Sequence, residues 1–130
     1  MRHCIEVRYN DYCYMADSDI TRQLPLPPAF FHILIALGDG ERHGYAIMQD
    51  VARRTDGKVR MSPGTLYGSI RRMLDEGLID ELTRRPDDDD ERRRYYRVTR
   101  FGRAVAAAEA DRLRALLQHA RATGLVPRRS

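Results

Sequence analysis

Between Met61 and Thr99 two groups of residues have the types and spacing to meet a polyanion. Ser62-Pro63-Gly64-Thr65 offers a hydroxyl, a missing side chain and a second hydroxyl within one helical turn. Backbone N–H groups at such a helix start can come close to a phosphate. Tyr67, Arg71 and Arg72 follow on the same segment. An arginine there can fork onto guanine O6 and N7 or pair with a phosphate. The second group brackets a loop: Arg84 and Arg85 precede it, and Arg92, Arg93 and Arg94 follow it. Pairing of the flanking segments would gather these guanidinium groups at the base of the loop. The carboxylates between them, Asp87 to Glu91, repel phosphate, so any contact uses the base and not the tip.

Other chemistries have little to stand on. Cys4 and Cys13, with His3 beside the first, do not make a zinc framework, which needs about four ligands at characteristic spacing. Gly38-Asp39-Gly40 with Gly44 lacks the spacing and the preceding strand of a phosphate-binding fingerprint. His32 lies in an apolar run and reads as an interior histidine, and His43, before Gly44, reads as a turn residue. No catalytic constellation, metal or cofactor is expected.

The elements that would hold the two basic groups follow from periodicity and punctuation. Pro28 opens the apolar run Ala29 to Leu37, which reads as a buried first helix ended by Gly38-Asp39-Gly40. A second helix, Gly44 to about Arg54, carries Ile47, Met48 and Val51 on one stripe. The third is capped by Ser62, accommodates Pro63 in its first turn, repeats Leu66, Ile70, Met73 and Leu74, and stops at Gly77. Its opposite face presents Gly64, Thr65, Gly68, Arg71, Arg72 and Asp75. Taken alone, this is also the pattern of an ordinary solvated helix in which Arg71 and Arg72 balance Asp75 and Glu76.

Two strand-like segments, Leu78 to Arg84 and Arg94 to Thr99, then form a hairpin around the charged loop. Thr99 caps a last helix, Arg100 to about Ala122, roughly 35 Å long at 1.5 Å per residue. Its apolar positions Leu113, Leu116, Leu117 and Ala120 lie beyond the reach of so small a core, and a two-fold partner would bury them.

The fold class is therefore mostly α with a small β-hairpin wing, a winged helix-turn-helix followed by a long C-terminal dimerisation helix. Residues 1–26 are an N-terminal arm and proline-rich entry, 27–99 the DNA-binding domain, 100–123 the dimerisation helix and 124–130 a tail. That tail, Gly124 to Ser130, resembles a thrombin-cleavage linker with Arg129 where such linkers have glycine. Tyr9, Tyr12, Phe30 and Phe31 could line an effector cleft between the first and last helices, or could be packing.

Composition is compatible with this and adds little. The chain has 130 residues, 42% hydrophobic and 32% charged, which fits one domain with appendages. The net charge of +4 is modest, and all the basic residues except Lys58 are arginine, which suits guanidinium recognition and equally reflects coding bias. No run approaches the roughly 18 apolar residues of a membrane span and no export signal is legible, so a cytoplasmic protein is expected.

Taken together, Leu37-Gly38, His43-Gly44-Tyr45, Ser62-Pro63-Gly64-Thr65-Leu66-Tyr67-Gly68, Glu76-Gly77-Leu78-Ile79 and Arg93-Arg94-Tyr95-Tyr96-Arg97-Val98-Thr99, closed by Gly102, resemble the PadR family of transcriptional regulators over about residues 28 to 120. Gly64 to Tyr67 with Glu76 to Ile79 at this spacing is the specific part. The resemblance implies a dimeric winged-helix repressor of double-stranded DNA, paired through the C-terminal helix, with small-molecule release from the operator in several members; an aromatic or drug-like effector is what the cleft above could hold. Ser62, Thr65 and Tyr67 match the family's DNA-contacting helix positions, and Tyr45 matches a tyrosine near the DNA backbone. Gly68 stands where members often have proline, and the single last helix resembles the shorter subfamily, so ligand assignments from members with larger C-terminal domains do not transfer. Two rivals remain: a winged helix used only for protein binding and, further off, an enzyme.

Overall fold

The computed structural model describes residues 17–84 and 93–127, with Arg84 and Arg93 described by their backbone alone. In chain order the elements are α1 (Asp17–Arg22), α2 (Pro28–Ala36), β1 (Arg42–His43), α3 (Gly44–Arg54), α4 (Pro63–Asp75), β2 (Ile79–Arg84), β3 (Arg93–Val98) and α5 (Arg100–Ala122).

The three expected domain helices form because each has a start signal and an apolar stripe. α2 begins on Pro28 and buries Phe30, Ile33, Leu34 and Ala36, so it is the central helix against which α3, α4 and α5 pack. Phe30 is thus core, and the partly buried Phe31 packs against that core. α3 starts where His43, in extended conformation, accepts the Ala46 N–H on Nδ1 at 3.3 Å. That is the turn role expected of His43. Ile47 and Val51 are buried on the stripe below, with Met48 packed at its edge.

α4 is capped as its sequence predicts, the Ser62 hydroxyl accepting the Thr65 N–H at 3.1 Å, and it buries Leu66, Ile70 and Met73. At its far end Gly77 has φ +78, the Gly77 N–H reaches Leu74 O and the Leu78 N–H reaches Met73 O. This is the paired closure that a left-handed residue makes available, and it turns the chain directly into β2.

The sheet has one strand more than expected. β1 adds to the free edge of β3, Arg42 opposite Tyr96 and His43 opposite Tyr95, giving the order β1-β3-β2, all antiparallel. A two-residue strand has no period to read, and its pairing is decided by the edge that β3 offers. α1 was likewise not legible: it has only Ile20 to place against the core, with Leu24 just beyond, and it lies along α5.

α5 is capped by Thr99, whose hydroxyl accepts the Gly102 N–H at 2.9 Å, and its first half buries Gly102, Ala104, Val105 and Glu109. Past Glu109 the core ends and the helix does not. Leu113, Leu116 and Leu117 are 41%, 51% and 44% exposed. The expected tail begins within the closure of this helix, since Gly124 has φ +80 and the Leu125 N–H bonds Ala120 O at 3.0 Å. No described helix is long and apolar enough to cross a membrane.

Candidate nucleic-acid interface

The exposed face of α4 carries the residues the sequence singles out: Ser62, Gly64, Thr65, Tyr67, Gly68, Arg71 and Arg72 are all exposed. The Ser62 hydroxyl also donates to the Thr65 hydroxyl oxygen at 3.2 Å. A side chain at Gly64 would meet only the Ser62 hydroxyl, at 3.9 Å, and one at Gly68 would meet nothing within 4 Å. The fold itself therefore has room for side chains at both positions. Their absence bares the α4 backbone to whatever approaches from outside.

Tyr67 has two surroundings. It is 47% exposed, yet its phenol lies so close to Gly44 that a Cβ there would come within 2.4 Å of its hydroxyl. The ring thus joins α4 to the start of α3, beside Tyr45, which is exposed on α3's first turn. It also lies near Tyr96 on β3, a buried phenol whose pKa is raised by burial first and then by the Glu81 carboxylate and Tyr67. Arg72 diverges from Arg71 by lying over the Phe30 ring, 5.1 Å from its centroid, a cation–π contact with α2.

The wing is the hairpin of β2 and β3. The ladder sets Arg84 opposite Arg93 and Thr83 opposite Arg94. Of the wing arginines singled out in the sequence, only Arg94 has a described side chain, and it is exposed. Arg94 lies 3.6 Å from Glu81, and Arg97 3.8 Å from Asp80. Arg85, Arg92 and the acidic stretch Asp87 to Glu91 lie outside the described residues, as do Cys4, Tyr9, Tyr12 and Cys13.

Elsewhere many of the described arginines are committed to carboxylates, and Arg103 bonds the Gly38 carbonyl at 3.2 Å. Buried Asp50 is held by Arg53, by Arg54 at 2.5 Å and by Arg42 at 3.7 Å. Burial works to raise its pKa, but the Arg54 hydrogen bond and the three positive charges prevail and lower it. Buried Glu109 takes both arms of Arg112 at 2.8 Å and the Leu26 N–H at 3.4 Å. Arg22 pairs with Asp19 and Arg114 with Asp111. By contrast, no carboxylate reaches ion-pair distance of Lys58, Arg60, Arg71 or Arg72 among the described residues. The balancing of Arg71 and Arg72 by Asp75 and Glu76, which a merely solvated helix would have, is not formed. Lys58 and Arg60 were not singled out in the sequence; their place in the turn between α3 and α4 was the available signal. Among the described residues no group of histidine, cysteine, aspartate or glutamate could hold a metal.

The family model of transcriptional regulators described as PadR-like matches residues 33–108, more than half of the chain. The chain belongs to the PadR-like family. That family is one of transcriptional regulators, not of enzymes. No curated protein sequence matches the chain. Among solved structures, a transcriptional regulator from Clostridium thermocellum is 25% identical, with a TM-score of 0.61 over 68% of this chain and 85% of that one. A PadR family transcription regulator from Clostridium difficile shares the fold at a TM-score of 0.64 and 21% identity, over 77% of this chain and all of the other. Bacillus subtilis PadR, solved in complex with operator DNA, shares it at 0.56 and 22% identity, over 67% of this chain and 47% of its own longer one. The winged helix of this PadR-like chain, with one long helix after it, is therefore the family's fold.

Proposed function

We propose that this PadR-like protein is a homodimeric repressor that binds a specific site on double-stranded DNA, with α4 in the major groove and the wing beside it. The observation that carries the reading is the distribution of cations among the described residues: Lys58 and Arg60 in the turn before α4 and Arg71 and Arg72 on it have no carboxylate partner, whereas Arg103, which also lacks one, is turned to the Gly38 carbonyl. An exposed cation left unpaired while its neighbours are neutralised is available to phosphate or to guanine. Gly64 and Gly68, bare for no internal reason, let the α4 backbone approach closely. Ser62, Thr65 and Tyr67 point contacts from its tip and Tyr45 from α3, while Arg92, Arg93 and Arg94 are assigned to the wing's contact. The Bacillus subtilis relative solved with operator DNA supports the same use of the fold.

Pairing through Leu113, Leu116, Leu117 and Ala120 belongs to this reading, because a dimer places two α4 helices on half-sites about 10 base pairs or a multiple apart. Release by a small aromatic or drug-like effector is part of it as well. The support is an open depression of about 290 Å3 between α2 and α5, with Leu34, Ile35, Val98 and Ala106 as walls and Arg103 at its rim.

The test is footprinting on the DNA upstream of the protein's own gene and its neighbours, then titration of the protected duplex at several salt concentrations. Affinity should fall steeply between about 50 and 200 mM salt. Arg71→Ala should cost about 1–3 kcal/mol on that site and far less on random duplex. Absence of binding to any duplex at low salt would leave the protein-interaction reading in its place.

A further inference from the structure

The end of α4 and the start of α5 are built on the same two residues. Gly77 and Leu78 close α4, through the Leu78 N–H to Met73 O at 2.9 Å and the Gly77 N–H to Leu74 O at 3.2 Å. Thr99, which opens α5, returns to this pair: its N–H bonds Leu78 O at 3.1 Å and its hydroxyl donates to Gly77 O at 2.6 Å. The same hydroxyl accepts the Gly102 N–H at 2.9 Å. Gly102 then lies against the Leu78 carbonyl so closely that a Cβ would come within 2.1 Å of its oxygen and 3.0 Å of its carbon. The obstacle is backbone, which cannot swing aside. Val105, fully buried one turn on, anchors α5 beyond the joint.

On these observations we propose that Thr99 and Gly102 are positioning residues. They lock α5 to the C-terminus of α4, so that the way two copies pair along α5 fixes the separation of the two α4 helices and hence the half-site spacing the dimer accepts. The proposal rests on the dimeric DNA-binding reading above and adds to it the element that converts pairing into register. Magnitudes support it. A methyl group at Gly102 needs about 1 Å of extra room, which with Val105 as pivot about 5 Å away tilts α5 by about 10°. Leu117 lies about 18 Å beyond that pivot and would be carried about 3 Å, close to the rise of about 3.4 Å per base pair.

The test compares wild type, Gly102→Ala, Thr99→Val and the conservative Thr99→Ser. A binding site is selected by the wild-type protein from a random duplex pool and rebuilt with spacers changed by one, two and three base pairs. Wild type and Thr99→Ser should share one optimum and lose about tenfold within two base pairs of it. Gly102→Ala and Thr99→Val should still sediment as dimers and bind an isolated half-site as wild type does, but with the optimum moved or flattened by at least one base pair. A wild-type spacing profile in both variants overturns the proposal. So does a loss equal at every spacing and on the half-site, which marks a merely structural role.

A second measurement needs no DNA and separates failure of the joint from failure of the DNA reading. With Cys4→Ser and Cys13→Ser, spin labels at Asp75 and Gln118, diluted with unlabelled protein, report the α4–α5 distance within one chain. A narrow wild-type distribution that shifts or broadens by about 3 Å in Gly102→Ala is expected on the tilt estimated above. Identical distributions refute the lock even if wild type selects no DNA site.

Discussion

Buried carboxylates are rare because desolvation disfavours the charge, so a buried one that stays ionised has partners that matter. Glu109 is such a group: the Arg112 hydrogen bond first, against the cost of burial, then the Leu26 N–H and the Arg112 charge, hold it below its ordinary 4.5. A carboxyl whose pKa falls on folding adds stability that is present in full above the unfolded value and disappears as pH drops through the folded one. Acid unfolding of the wild type should therefore steepen below about pH 4.5, and Glu109→Gln should flatten that limb while lowering stability at neutral pH, both readable by circular dichroism against pH. Tyr67 gives a second prediction at this scale. Gly44→Ala collides with the far end of a half-exposed ring that can swing outward, so its cost should be about 1 kcal/mol and not a collapse. In a Tyr67→Ala background the same change should cost almost nothing, and urea melts of the four proteins would show whether the two residues are coupled.

Among the elements, α4 is where stability and function can be pulled apart. Asp serves as well as Ser in capping a helix, and its charge suits the N-terminal dipole. Ser62→Asp should leave the melting temperature unchanged or raised, yet place a carboxylate where phosphate is proposed to sit. DNA affinity should then collapse while Ser62→Asn retains most of it. If Ser62→Asp binds duplex DNA as wild type does, α4's first turn is not the contact. This element was also the most legible in the sequence, because Ser62, Pro63, Gly77 and the Leu66-Ile70-Met73 repeat all act within the helix itself. α1 and β1 were not legible, since six residues resting on Ile20, and two residues borrowing the edge of β3, are decided by what they pack against. At the wing the sequence shows a cluster of arginines but not the partner that Arg94 takes, Glu81 on the neighbouring strand. Spacing along a hairpin does not say which face each takes until the register, Arg84 to Arg93, is known.

At the scale of the whole molecule, one helix serves two bodies. The stripe of α5 that faces the core through Gly102, Val105 and Glu109 continues at the same angular position into Leu113, Leu116 and Ala120, past the point where the core of the described residues ends. Three large leucines held exposed in water by a rigid helix forgo several kcal/mol of burial, which a second copy recovers from both sides at once. The protein should sediment at micromolar concentration as twice its 15.1 kDa. Leu113→Glu with Leu117→Glu should give a monomer, because a two-fold axis sets each new carboxylate near its counterpart. That monomer should keep its helix content and its core, since neither leucine belongs to the core. It should also keep weak, salt-sensitive binding to any duplex while losing its preference for the two-half-site operator, because α4 is untouched and only the pairing is gone. A wild-type monomer under the same conditions would sink the pairing. A double variant that stays dimeric would move the interface off these leucines, and the register argument built on α5 would move with it.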